Sequence, residues 1–312
     1  MVKEINIVYY AVNTKTLEFE NSNGKVWMSN QRDLAMINVF LGDSIDPQPK
    51  DSVIIAEPIV TTPSHYDMQY LSQFKKIIGW ANRFFEKSQI QDKFVGINCG
   101  SESMPQDADQ LRENWLPWEQ RKNAVLIISS GNKNSKHPDS IYNLRVLLAD
   151  FFYENNYEVD WYGYASPHRP YYRGPIQNKD KNFTYKHKIQ KIHQYKFHIC
   201  TENTYSPIFS YNYLTEKLPH AIYGGAVPLY MGCYNIEELL PKETFFDLRN
   251  FVIKRNNEIV LLKQPLLEAI KSFSAIDFEK YNKASYNVIK DPNGIFYLTD
   301  TNRGCKKLLE IL

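Results

Sequence analysis

The second half of the chain alternates short apolar runs with stretches of helical periodicity, and this alternation constrains the fold more than any other feature. Residues 124–129, 158–164, 196–200 and 226–231 read as strands, and 140–154, 185–194 and 218–223 between them read as helices. Strand, helix and strand in that repeat predict a parallel sheet with crossover helices, a nucleotide-binding type of domain. Ile141, Leu144, Leu148 and Phe151 recur at helical spacing, which sets Arg145 on the flank of an apolar stripe, early in its helix.

The first half is less regular. Residues 5–12, 52–56, 76–80 and 94–98 are strand candidates and 64–74 reads as a helix. The stretch 102–122 is polar, carries Pro105 and Pro117 and contains no strand pattern, so the expected domains are 1–121 and 122–312. Further helical patterns at 258–273 and 301–312 close the chain, and the last of these is able to pack back on the first domain. A chain of 312 residues has room for two such cores.

Charge and composition remove several function classes. Thirty-seven Lys and Arg against thirty-five Asp and Glu leave a formal charge of +2, so there is no global positive field for a long polyanion and nucleic acid is not an expected partner. The 14% aromatic share, with 22 Tyr, suits surfaces that stack flat rings or sugars. Cys99, Cys200, Cys233 and Cys305 show neither zinc-ligand nor disulfide-framework spacing and read as reduced thiols. The N-terminal residues mix charge with apolar side chains, mean hydropathy is −0.48, and no uncharged apolar run approaches the ~20 residues of a membrane span. The expectation is a soluble, cytoplasmic protein with no transmembrane segment.

The segment 195–232, YKFHICTENTYSPIFSYNYLTEKLPHAIYGGAVPLYMG, carries the chemistry. A buried-looking strand ends in Thr201, Glu202 and Asn203, a polar loop follows, and Tyr213, Leu214, Thr215, Glu216 and Lys217 open a helix that Gly224 and Gly225 terminate. Pro219 fits only near the start of that helix. In an open α/β sheet ligands bind at the carboxyl ends of strands. A cation near a helix N-terminus opposes the helix dipole by about 0.3–1 kcal/mol, and a bound phosphate reverses that sign. The alternative is a solvated Lys217 with Glu216 complementing the dipole.

The spacing YKF-x-I-C-x-EN, then Y-x-TEK-L-x-x-A, then GGAVPLY-x-G resembles the donor-site motif of the α1,3/α1,4-fucosyltransferase family. The resemblance covers 195–251 and, more weakly, extends back to about residue 124. It implies a GT-B-like α/β fold, two Rossmann-like domains facing a central cleft, and inverting transfer of L-fucose from GDP-fucose to a glycan hydroxyl. The acceptor in this family is often N-acetylglucosamine, linked α1,3. No cofactor is implied, and a divalent metal would be at most stimulatory. Carried over residue by residue, Glu216 is similar to the acid that meets donor hydroxyls and Lys217 to the cation on the diphosphate. Tyr213 resembles the aromatic residue beside the nucleotide, Glu202 and Asn203 the loop lining the donor pocket, and Arg145 the second phosphate cation. Two departures stand out: Thr201 occupies a position usually aromatic, and the loop from Asn203 to Tyr213 is longer than usual.

The chemistry needs these residue types whatever the name. Breaking a bond from an anomeric carbon to a nucleoside diphosphate builds negative charge, which fixed cations in a dry site stabilise. The attacking hydroxyl needs a general base, and Glu57, beyond the apolar run 53–56 and before Pro58, is the candidate. It loosely resembles the family's acceptor-side acid; Glu20 and Glu102 are less well placed. Asp107 and Asp109 form a D-x-D triplet better explained by N-capping than by metal binding. A basic aromatic run between His168 and Lys196, including Arg169, Arg173, Lys179, Lys181, Lys186 and Lys188, reads by default as a solvated loop and helix face, with Arg173 the candidate for donor contact. The sequence contains no G-x-S-x-G, P-loop or G-x-G-x-x-G. The alternatives are a related transferase using another nucleotide sugar, or a non-catalytic glycan-binding relative; an RNA-binding protein is a remote third. The absence of an apolar leader points to a bacterial or viral origin.

Overall fold

The structure, a computed structural model, describes residues 3–8, 15–31, 37–41, 48–97, 113, 115–128, 136–163, 168–176, 185–255, 258–291 and 301–312. The chain divides into two compact units. One comprises Met1–Ser103, Ser206–Tyr213 and Tyr297–Leu312; the other comprises Met104–Tyr205 and Leu214–Phe296. This differs from a division at 121/122 because two later segments carry apolar side chains that belong to the first core. The fold is α/β, with a parallel sheet at the centre of each unit.

In the first unit the described strands are β1 (Lys3–Val8), β2 (Thr16–Asn21), β3 (Gly24–Ser29), β4 (Ile37–Leu41), β5 (Ser52–Ile54), β6 (Lys76–Gly79) and β7 (Phe94–Gly96). Their order is β2-β3-β1-β4-β5-β6-β7, parallel except for the β2–β3 hairpin. One face buries Ile5, Ile7, Val26, Val39, Ile54 and Ile78 against Cys305, Leu308 and Leu309 of the helix Thr301–Ile311. Lys3 and Lys76 donate to the carbonyls of Leu309 and Ile311 at 2.9 and 2.7 Å, satisfying the last turn of that helix. The other face buries Phe40, Val53, Ile55, Phe74 and Ile77 with Trp80, Tyr66 and Tyr213.

The expected helix at 64–74 is broken in two, a 3₁₀ turn Pro63–Tyr66 and a short helix Met68–Leu71. Asp67 separates them because its carboxylate accepts from the backbone N–H groups of Gln69 and Tyr70, an N-cap that restarts the helix.

In the second unit β8 (Lys122–Ile128), β9 (Val159–Gly163), β10 (Tyr172–Gly174), β11 (Tyr195–Thr201), β12 (Val227–Met231) and β13 (Phe246–Asp247) form an all-parallel sheet in the order β10-β9-β8-β11-β12-β13. The helix Leu144–Glu154 connects β8 to β9 and buries Leu144, Leu148, Phe151 and Phe152 against Ala124, Leu126, Val159, Trp161 and Phe197. Helices Tyr185–Ile192 and Lys217–Tyr223 pack together through Ile189, Leu218, Ala221 and Ile222. Gly225, at φ +66°, ends the second of them; a Cβ there would lie 2.6 Å from the Trp115 ring. The expected helix at 258–273 begins only at Lys263, because Ile259 and Val260 lie in β15 (Glu258–Leu261), paired with β14 (Val252–Arg255). No helix among the described residues is long and apolar enough to cross a membrane.

Candidate functional site

The order of the second sheet fixes where a ligand fits. From β8 the chain crosses to β9 on one side, while from β11 it crosses to β12 on the other, so neighbours β8 and β11 diverge at their carboxyl ends. Such a switch point opens a crevice in parallel sheets. Two groups of polar side chains stand at the strand ends there.

The first group centres on Arg145, the second residue of its helix and only 6% exposed. Its Nη2 donates to the Thr201 carbonyl at 3.0 Å and to Asn203 Oδ1 at 2.6 Å, and its Nε donates to Thr201 Oγ1 at 3.4 Å. The backbone around it is tied down as well. Ile141 N donates to the Asn203 carbonyl at 3.1 Å, and Tyr205 N donates to the Asp139 carbonyl at 3.0 Å. The approach to the helix is thereby joined to the end of β11, and the guanidinium is held from both elements.

The second group is built on Glu202, which has no solvent exposure. Its carboxylate accepts from Thr215 N at 3.1 Å, from Thr215 Oγ1 at 2.8 Å and from Lys217 Nζ at 3.0 Å. Lys217 Nζ also donates to Thr215 Oγ1 at 3.0 Å, and a fifth of the Lys217 side chain remains exposed. Glu202 N donates to the Met231 carbonyl at 2.9 Å, joining the ends of β11 and β12. Gly232 follows Met231, and a Cβ on it would stand 2.2 Å from Glu202 Cγ. Only glycine lets the buried acid pass.

The charges are strongly coupled. Burial works against the Lys217 ammonium, but Glu202 and Glu216 outweigh it and raise its pKa, with Arg145 opposing them. Burial alone would raise the Glu216 carboxyl; Lys217, Lys188 and His220 outweigh it and hold the acid down to about 2. His198, in the middle of β11, is driven well below its ordinary value by burial and then by Lys188, His220 and Lys217, so it is neutral. The result is a pair of immobilised cations, Lys217 and Arg145, at the carboxyl edge of one sheet, able to meet an anion with little reorganisation. No group of three His, Cys, Asp or Glu side chains among the described residues is arranged to hold a metal ion.

The structure brings Arg145, Glu202, Asn203, Glu216 and Lys217 together around β11 and the helix that follows it. It refines the reading of Glu202: both carboxylate oxygens are taken by Thr215, one of them shared with Lys217, so this acid supports the cation from behind. Arg173, the candidate for donor contact, is not placed with them. Its Nε donates to Asp160, near the start of β9, in a network with Lys122 at the start of β8 and Tyr195 at the start of β11, the opposite end of the sheet. Tyr213 is 2% exposed and belongs to the core of the first unit, its ring 4.8 Å from that of Trp80. Glu57 is an exposed residue at a bend beyond β5 in the first unit, and its carbonyl accepts from Tyr66 Oη at 3.1 Å.

Lys188 overturns the solvated reading of its helix face, since it is buried. Arg169, in the same basic run, pairs with Asp150 at 3.0 Å. Glu20 pairs with Lys25 across the β2–β3 hairpin at 2.8 Å. Glu102, Asp107, Asp109, Lys179 and Lys181 lie outside the described residues. Thr215 and Gly232 were not singled out from the sequence. Thr215 stands inside the TEK triplet, and Gly232 directly follows an apolar strand; these are the signals that could have found them.

The glycosyltransferase family 10 (fucosyltransferase) C-term model matches residues 118–263. The alpha-(1,3)-fucosyltransferase FucT of Helicobacter pylori is 21% identical over 179 residues, which are 54% of this chain and 37% of that protein. The chain thus matches little more than a third of that relative's length. A crystal structure of an alpha1,3-fucosyltransferase superposes with a TM-score of 0.55 at 14% identity, covering 91% of this chain and 80% of the other. A second, of an alpha1,3-fucosyltransferase with GDP, gives 0.52 at 13% identity, covering 99% and 90%. These likenesses bear out the GT-B-like α/β fold. Over residues 118–263 the chain is similar to glycosyltransferase family 10, the fucosyltransferases.

Proposed function

We propose that the protein transfers L-fucose from GDP-fucose to a hydroxyl of a glycan acceptor, with inversion at the anomeric carbon and an α1,3 linkage to N-acetylglucosamine. The observation that carries this reading is the immobilised pair Lys217 and Arg145 at the switch point of a six-stranded parallel sheet. GDP in a solved alpha1,3-fucosyltransferase structure supports the choice of nucleotide.

In this mechanism the diphosphate oxygens lie against Lys217 and Arg145. Among the described residues, Glu202 and Thr215 engage two of the three N–H donors of Lys217, which aims the ammonium and leaves the third for a phosphate oxygen. As the bond to the anomeric carbon lengthens, negative charge gathers on the leaving GDP, and the two cations stabilise it without moving. Glu216, held ionised, accepts from hydroxyls of the donor. Glu57 takes the proton of the attacking acceptor hydroxyl, a contribution of about 10² to 10⁴ in rate for a general base. The two cations serve the leaving group in place of a divalent metal.

The test is turnover of GDP-fucose with N-acetyllactosamine, set beside GDP-mannose and UDP-sugars. Anomeric coupling constants of the product report the configuration, and EDTA reports on metal. Fucose transfer with inversion, unaffected by EDTA, is the expected outcome. Transfer from another nucleotide sugar, or no GDP release with any pair, contradicts the proposal.

A further inference from the structure

The same edge of the second sheet carries an aromatic pair next to the Arg145 group. Tyr205 follows β11 and Tyr234 follows β12, and their rings lie 5.6 Å apart at 35°. Tyr234 is 40% exposed, whereas Tyr205 is partly buried behind it. Both backbones are fixed: Tyr205 N donates to the Asp139 carbonyl at 3.0 Å, and Arg249 Nη1 donates to the Tyr234 carbonyl at 3.3 Å. Arg249 is itself locked by Asp247, at 2.8 and 2.7 Å, and by Glu237.

This combination has a chemical meaning. A rigid aromatic face with carboxylates and a guanidinium at its rim matches a pyranose, whose C–H face stacks on the ring while its hydroxyls reach the polar groups. One cation and two carboxylates leave the rim with one net negative charge, which disfavours a diphosphate and tolerates a neutral sugar. The Glu237 side chain is 57% exposed, so it is open to a hydroxyl as well as to Arg249. Tyr153, also exposed and backed by Tyr171, lacks such a position: it closes the helix Leu144–Glu154, away from the carboxyl edge.

We propose that Tyr205 and Tyr234, with Arg249, Asp247 and Glu237, form a saccharide-stacking subsite that holds a pyranose of the acceptor glycan. The assignment to the acceptor rests on the reading that the nucleotide occupies the β8–β11 crevice. The subsite spans the ends of β11, β12 and β13.

The experiment compares wild type, Tyr234→Ala and Tyr234→Trp on a printed oligosaccharide array, with titration of the strongest glycan and a parallel titration of GDP. Thermal unfolding midpoints verify that the variants are folded. The expected result is glycan binding by wild type and Tyr234→Trp, a loss of at least tenfold in Tyr234→Ala, and GDP affinity unchanged within twofold. Retained glycan binding in a folded Tyr234→Ala, a loss of GDP affinity in that variant, or no glycan bound by wild type overturns the subsite. Failure of the wild type to bind GDP counts instead against the donor reading, and the array is then read separately. If Tyr234→Ala does not fold, Tyr234→Ser takes its place under the same criteria.

Discussion

Lys217 Nζ lies 3.0 Å from Glu202 Oε2, and Glu202 has no exposure to solvent. Removing one partner of such a pair leaves an uncompensated buried charge, which costs about 3–5 kcal/mol. Lys217→Met alone is therefore expected to lower the urea midpoint strongly. Glu202→Gln combined with Lys217→Met is expected to recover most of that loss. A double variant no more stable than Lys217→Met alone would show that the pair is not what holds the site.

Arg145 is expected to act on the nucleotide and Arg173 is not. Arg145→Lys keeps a charge but loses the planar fork that meets Thr201 and Asn203 together, so GDP affinity should fall about tenfold, or 1.4 kcal/mol. Arg173→Ala should leave GDP affinity within twofold, since its guanidinium is committed to Asp160. Calorimetric titration of both variants checks the contrast, and equal effects would contradict the placement.

Gly232→Ala introduces a Cβ that overlaps Glu202 Cγ. Overpacking of this kind costs about 1–3 kcal/mol, and displacement of the acid should also weaken GDP binding through Lys217. Denaturant midpoints and GDP titration measure the two effects. If stability falls while GDP affinity stays intact, Glu202 does not position Lys217 for a ligand.

Acid should destabilise the protein in two stages. His198 has a folded pKa far below its unfolded value near 6.5; the unfolded chain alone takes up that proton, and stability falls as pH drops below about 6.5. Glu216 has a folded pKa near 2 against an unfolded value near 4.5; its contribution is present above about 4.5 and is lost as pH falls toward 2. His198→Leu should remove about 1 kcal/mol of the difference between pH 7 and pH 5.5. It should not destabilise at pH 7, because neither imidazole nitrogen has a hydrogen-bond partner among the described residues. Urea melts at the two pH values decide it; an unchanged difference in His198→Leu removes His198 as the source of the first stage.

Much of the second unit was legible because its determinants are local in sequence. The expected strands and helices from 124 to 231 lie within a few residues of the observed ones, since each has its own apolar period and its own Gly or polar stop. Two further signals in the sequence are equally local. Asn23 and Gly24 mark the β2–β3 turn, where Asn21 Oδ1 accepts from both N–H groups, and Ser274 and Asp277 form the capping box of the helix Ala275–Lys290. The remainder is set by contacts distant in sequence. Nothing near Tyr213 states that Trp80 will stack on it, and nothing near Arg173 states that Asp160 will take its guanidinium. The same holds for Glu202, whose burial follows from Thr215 and the missing Cβ of Gly232.

The proposed reaction depends on Arg145 and Lys217 gripping a diphosphate, and the most direct measurement compares the affinities of GDP and guanosine for wild type and Arg145→Ala. Wild type should bind GDP at least 100-fold more tightly than guanosine, about 2.7 kcal/mol, and that ratio should collapse in Arg145→Ala while guanosine affinity stays the same. An undiminished ratio in the variant would mean that the phosphates are held elsewhere.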